Sequence, residues 1–493
     1  WPFSPSLCAA RYTEHARPPP PPCTRQPQPQ SSGFSTVGNM KWSAPLIVLS
    51  SLTAYAKVYD FEADLGGISD DGSLDTAWHN GGLMNETLAM LGKGDTLVIP
   101  NKTYHLMGGV QGFNLDSVTL QLEGTLNFGT DNILDGYRDI KEWPRNADNN
   151  VLECFSLYSC KNFTLTSSGT GTFDGAGKRW WGIPGIGYLV KGEHRPRLFT
   201  MDYSNDTLIE NFLLYDSPYW TTYLTDMNRL EIRHSSIDAR RMKDDGHNLI
   251  DMTAFNTDGF DVTGTNVWIH DCDIWNQDDC IAVKESWRYR DEQGRGVASN
   301  MLFERIRASG VGLTIGSIAG SVVQNITFRD CYMHHTYKGI YMKFRDTESA
   351  GVIKDVTYEN IFIDTPSQWP IWIGPAQQSD SARLCAAHPC SICWPELPGS
   401  ECNMPSSVSY ENILLKNITI LNPTKSPGVI RGNESNPMQK VVFEDVQVIN
   451  PGSKPWGDDY YDCQGVSGGV AKGSTWPVPP CFEDQTDAAK DGL

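Results

Sequence analysis

Basic residues are in deficit in this 493-residue sequence: 40 Lys and Arg stand against 59 Asp and Glu, a net charge of −19 at pH 7. A broad electrostatic grip on nucleic acid or on an anionic membrane is therefore not expected. Long apolar runs are scarce as well. The strongest, Ala44 to Leu52, is too short to span a bilayer. A lysine just after Met40 precedes it and Ala54-Tyr55-Ala56, a small-x-small cleavage pattern, follows it, so residues 40–56 read as a signal peptide. Upstream, residues 1–39 are rich in Pro, Gln and Ser ("RPPPPPCTRQPQPQSSG") and are expected to be a disordered or over-extended stretch outside the fold. That leaves 57–493 as one secreted, extracellular domain, expected to be a monomer.

A paired zinc motif is missing too. Cys390-x-x-Cys393 has no second CxxC to complete a site, and disulfides suit a secreted chain better. Eleven cysteines follow Lys57 (154, 160, 272, 280, 331, 385, 390, 393, 402, 463 and 481), and this odd number leaves one thiol, expected to be buried, without a partner. Asn-x-Ser/Thr sequons at Asn85, Asn101, Asn162, Asn205, Asn325, Asn417 and Asn433 fit a glycosylated surface.

Long crossover helices are also absent. What the chain repeats instead is one strand-like phrase: "NVWIHDCDI", "NMLFERIRAS", "NITFRDCYM", "DVTYENIFI" and "NILLKNITIL" each open on a polar residue and then alternate apolar with polar. Alternation of period two is a strand with one buried face. Openers at Asn266, Asn300, Asn325 and Asp355 recur every 25 to 35 residues. Strands at that period without helices between them predict a solenoid of stacked coils rather than a doubly wound sheet. One amphipathic helix, near Thr76 to Met90, is placed to cap the first coil, and the stretch from Cys385 to Cys402 reads as a stapled loop.

Stacked coils bring residues one coil apart together. Asp258 and the pair Asp278-Asp279, in "NTDGFDVTGTNVWIHDCDIWNQDDC", are about one short coil apart and are expected to converge on one exposed face. Clustered carboxylates raise one another's proton affinity, so one stays protonated while others ionise, the division of labour that glycosidic hydrolysis needs. Calcium ligation is the rival reading of the same oxygens. Asp261 reads as a turn-stabilising residue, and Trp180 and Trp181 as core or cleft wall.

"NTDGFDV" followed by "NQDDC" resembles the active-site signature of glycoside hydrolase family 28, the polygalacturonase family. "GTFDGAGKRWWG" (171–182), "DSPYW" (216–220) and "GLTIGS" (312–317) resemble further motifs of that family, and the resemblance covers roughly residues 60 to 450. It implies an all-β fold, a single-stranded right-handed parallel β-helix with a short N-terminal capping helix, and hydrolysis with inversion and no cofactor or metal. It assigns Asp278 as general acid, with Asp258 and Asp279 holding and deprotonating the attacking water. An inverting pair is expected to stand about 6.5 to 9.5 Å apart to admit that water. The substrate class implied is an acidic, pectin-type polysaccharide.

Two family positions depart from the pattern. The Gly-His-Gly triplet is here Gly310-Val311-Gly312, and the Arg-Ile-Lys triplet is Tyr341-Met342-Lys343. Half of the expected carboxylate-gripping set is missing, since tyrosine cannot supply a guanidinium. Lys343 and Tyr341 remain as substrate-binding candidates. An insertion, "KESWRYRDEQGRG" (284–296), adds Arg288, Arg290 and Trp287, expected to wall the cleft and replace part of the lost recognition. A polysaccharide lyase on the same solenoid and a non-catalytic carbohydrate-binding relative remain as alternatives.

Overall fold

The computed structural model describes residues 56–131, 138–182, 194–242, 246–247, 251–345, 350–376, 390–391 and 393–488. The signal-peptide reading, apart from Ala56, lies outside these residues, as do Cys385 and the stretch 1–39.

The repeated phrase forms long parallel strands stacked in register. Strands Phe260–Trp275, Val297–Ser309, Val322–His334, Gly351–Asp364, Val408–Leu421 and Met438–Ile449 pair in that order, so that Val267, Met301, Ile326, Val356, Ile413 and Val441 lie one above another. Their alternate side chains are buried and together form one continuous core. The chain is a parallel β-helix, the solenoid expected from the period. Aromatic rings run through it as ladders: Phe303, Phe328 and Tyr358 stack at 4.7 and 4.6 Å. Each such buried side chain contributes about 2 kcal/mol of hydrophobic stabilisation.

Polar openers turn the chain between coils. Asn266, Asn300, Asn325 and Asp355 all adopt left-handed backbone conformations, with φ of 59°, 57°, 55° and 54°. Their side chains bond from coil to coil: Asn325 donates to Asn300 at 2.8 Å, Asn300 to Asn266 at 3.4 Å and Asn266 to Asn228 at 3.1 Å. Asparagine tolerates this backbone region because its short amide bonds locally.

Helix Leu74–Met90 lies across the first coils, where its N-cap Ser73 accepts from Thr76. Within it, Asn80 bonds the backbone of Ile68 and His105, and Asn85 bonds Gly109 and Gln111. Asn85, expected as a sugar acceptor, thus tethers the cap.

Cysteine pairing differs from the count. Disulfides join Cys390 to Cys402 and Cys463 to Cys481, and Cys393 is also disulfide-bonded. Among the described residues five thiols, not one, are free and buried: Cys154, Cys160, Cys272, Cys280 and Cys331. They pack into the core as small apolar side chains.

Candidate active site

One sheet of the solenoid carries the acids. Along its inward row Phe155, Phe199, Thr222, Phe260, Ile281, Leu313, Ile340 and Ile371 stack in register. The residues after these form the adjacent row, Ser156, Thr200, Tyr223, Asp261, Ala282, Thr314, Tyr341 and Trp372.

Asp258 precedes strand Phe260–Trp275, and Asp278 and Asp279 sit where that strand turns into Asp279–Val283. The turn is fixed by Asn276, whose amide donates to Thr257 O and Asp279 O at 2.9 Å each. Gly259 N–H donates to Asp279 O at 2.8 Å, which seats the two acid-bearing segments side by side. One carboxylate oxygen from each of Asp258, Asp278 and Asp279 lies within 4.8 Å of the others. These oxygens converge as coil stacking predicts, but in a largely buried cluster rather than on an exposed face, with Asp258 and Asp279 buried and Asp278 half-buried.

Each acid has a different setting. Asp279 is buried, with Oδ2 2.8 Å from Lys343 Nζ and Oδ1 accepting from Thr314 at 2.8 Å. Asp258 is 3% exposed and lies 3.6 Å from Lys284. Burial, then the Asp278 and Asp261 carboxylates, push it well above the usual carboxylate range. Asp278 is the partly exposed member. It accepts from Asn256 at 3.1 Å and from Asp279 N–H at 3.0 Å, and burial followed by the Asp279 charge raises its pKa.

Asp261 is not in a turn, as expected, but buried within strand Phe260–Trp275, 3.4 Å from Lys284. Burial pushes it up to about 7 against the pull of that lysine. Three of the four carboxylates therefore contact two ammonium groups, and Asp278 contacts neither. Full ionisation would leave uncompensated charge in a low-dielectric setting, so the cluster retains a proton above the ordinary carboxylate range. A calcium ion would have to compete with both ammonium groups for the same oxygens.

Lys284 is the member of the insertion that reaches the acids. Burial works against its charge, but Asp261 and Asp258 outweigh burial and raise its pKa. Arg288 and Arg290 point elsewhere: Arg288 donates to Tyr203 O at 3.1 Å and Arg290 to Gly294 O within the loop at 2.6 Å. Asp226 anchors the loop by accepting from Ser286, Trp287 N and Arg288 N, and leaves the Trp287 ring 53% exposed.

The two departures from the family pattern meet in one apolar cluster. Tyr341, Trp369, Trp372 and Val429 pack together with Val311 against them, and the Tyr341 hydroxyl pairs with Ser391 at 2.8 Å. Tyr341 is 5% exposed and so forms a wall rather than an open contact. The flanking glycines keep their steric reason without the histidine: a Cβ on Gly310 would stand 2.0 Å from Asn276 Oδ1, and one on Gly312, at φ 140°, 2.2 Å from Gly339 O.

Sequence reasoning missed Lys338. Its backbone N–H donates to Val311 O at 2.9 Å, and its ammonium lies 5.0 Å from the Tyr341 ring, bonded to Gln368 at 2.6 Å. Burial, then Lys343, lowers its pKa to about 7. The coil offset that joined Asp258 to Asp278 would have found it one coil past Val311. His247 was missed for want of any signal. It bonds Gln277 and Ser309 at 3.0 Å each and braces the residue before Asp278.

A sequence model described as "Glycosyl hydrolases family 28" matches residues 92–472. The chain is similar to a probable rhamnogalacturonase C of Aspergillus flavus, 27% identical over 317 residues (63% of this chain, 56% of the relative). It is also similar to endopolygalacturonase I of Aspergillus aculeatus, 28% identical over 219 residues (43% of this chain, 52% of the relative). The chain thus spans about half the length of these curated relatives. Two solved structures share the fold. Endo-xylogalacturonan hydrolase from Aspergillus tubingensis superposes with a TM-score of 0.56 at 16% identity, over 87% of this chain and 99% of that one. A polygalacturonase from Erwinia carotovora gives 0.54 at 17%, over 84% and 96%. With most of its length matched by the family's sequence pattern, the chain belongs to the glycosyl hydrolases, family 28.

Proposed function

We propose that the chain is a secreted glycoside hydrolase that cleaves an acidic, pectin-type polysaccharide by inverting acid–base hydrolysis. The observation that carries this is the three-oxygen cluster of Asp258, Asp278 and Asp279, its members set apart by their partners. Asp278, partly exposed and raised in pKa, donates a proton to the leaving oxygen. Asp279 and Asp258 hold the water, with two hydrogen bonds of about 2.8 Å spanning a gap of this size, and Asp279 takes its proton as it attacks. Inversion is the outcome when that water, rather than a carboxylate, attacks the sugar carbon.

Lys343 and Lys338 supply positive potential on the far side of the acids, where the arginine is missing, with Tyr341 as the wall behind them. Trp287 offers an exposed face to a sugar at the cleft edge, and Arg288 and Arg290 brace the loop that presents it. Secretion is supported by the signal-like segment 40–56 and by the density of sequons. Among the described residues no helix is long and apolar enough to cross a membrane.

The test is a panel of polygalacturonate, rhamnogalacturonan and xylogalacturonan scored by new reducing ends. The expected result is cleavage of at least one, with the inverted anomer first in the proton spectrum, and a loss of at least about 10³-fold in Asp278→Asn. Products absorbing in the ultraviolet through a new double bond, or full activity in Asp278→Asn, would overturn the reading.

A further inference from the structure

Toward the N-terminal end of the same sheet, the tryptophan of the "DSPYW" motif packs on a group that the chemistry does not use, Arg197. Leu198 N–H donates to Trp220 O at 3.2 Å and Thr221 N–H to Asp258 O at 2.7 Å, so Arg197, Trp220 and Asp258 occupy matching places in three successive coils. At the spacing of stacked strands, Arg197 stands about 10 Å from Asp258. That is far enough to meet a sugar other than the two joined by the bond that breaks.

The Arg197 guanidinium lies against two rings, 4.4 Å from the Trp220 ring and 4.8 Å from Tyr223. Nη1 donates to Glu153 at 2.6 Å, and Glu153 also accepts from the Arg197 backbone N–H. Nε is buried without a hydrogen-bond partner, and among the described residues nothing pairs with Nη2. The Nη2 group is thus unspent, while the ring contacts and Glu153 fix its direction. The hydroxyl row Ser156, Thr200 and Tyr223 leads from it to Asp261. A guanidinium fixed by ring contacts and one carboxylate, with an N–H group still unpaired, suits a carboxylate better than a neutral hydroxyl.

We propose that Arg197, oriented by Trp220, Tyr223 and Glu153, forms a distal subsite that reads the carboxylate of a uronic acid residue, so that the arginine missing at position 341 has a counterpart on the other side of the acids. This rests on the hydrolase reading above. The test measures binding of oligogalacturonides, and of the same oligosaccharides with their carboxyls reduced to alcohols, to the Asp278→Asn protein by calorimetry. Adding Arg197→Gln is expected to weaken the acidic ligands about tenfold, the worth of one charge-assisted hydrogen bond, and the reduced ligands far less. Arg197→Lys, which keeps charge and bulk but loses the fork, is expected to lose most of the same affinity. Tyr223→Phe, which keeps the stacking ring, is expected to retain it. Equal weakening of acidic and reduced ligands, unchanged affinity, or no binding of acidic ligands before the change would overturn the subsite. Absence of reducing ends from the unmutated protein would sink the hydrolase reading instead, while the binding result still decides the subsite.

Discussion

Asp258 is held charged by one lysine and discharged by everything else around it, so its contribution to stability depends on pH. Its folded pKa lies above the unfolded value, which means the folded protein binds the extra proton and stability falls as pH rises past the ordinary carboxylate range. Asp258→Asn, nearly isosteric, is therefore expected to inactivate the site while raising stability by about 1 kcal/mol at pH 7, a gain that vanishes near pH 4. Thermal unfolding at the two pH values checks it. Lys338 titrates the other way in effect. With its pKa pushed down to about 7 by burial and Lys343, it carries charge below that pH and loses it above. KM for an acidic substrate is expected to rise as pH passes 7, and Lys338→Met to raise KM about fivefold at pH 5 and flatten the dependence. At this scale the three acids were legible because spacing and residue type coincide. Lys338 and Arg197 were not, since each matters through a neighbour in another coil.

Coils are held to one another by asparagine ladders as well as by the strands. Asn300 sits in a left-handed conformation and bonds both the coil below, through Asn266, and the coil above, through Asn325. Asn300→Ala is expected to cost about 2 kcal/mol in denaturant unfolding, from backbone strain and two lost bonds, and Asn300→Gly to recover the backbone part. In a stacked repeat each coil contacts only its neighbours, so the loss stays local unless it lies beside the site. Strands were legible because one face of every coil is buried and the alternation shows it. Thiol pairing was not: parity counts cysteines, while packing decides which of them meet, and Cys272 and Cys331 point into the core of their strands.

Over the whole molecule, a net charge of −19 would repel the polyanionic substrate proposed above. Screening shortens that repulsion from about 30 Å at 0.01 M salt to about 10 Å at 0.1 M. We expect kcat/KM on an acidic polysaccharide to rise severalfold over this range, and to stay flat on a carboxyl-reduced one. A steady fall with salt would mean that the local lysines and arginines dominate encounter. The sequence by itself determined the solenoid, its capping helix and the acid trio, because these depend on periodicity and on distances along the chain that a coil converts directly into contacts. Only the tertiary structure decided how tightly the acids cluster, which lysine pairs with which carboxylate, and where the spare guanidinium points, because a side chain's partners are set by the coils above and below it.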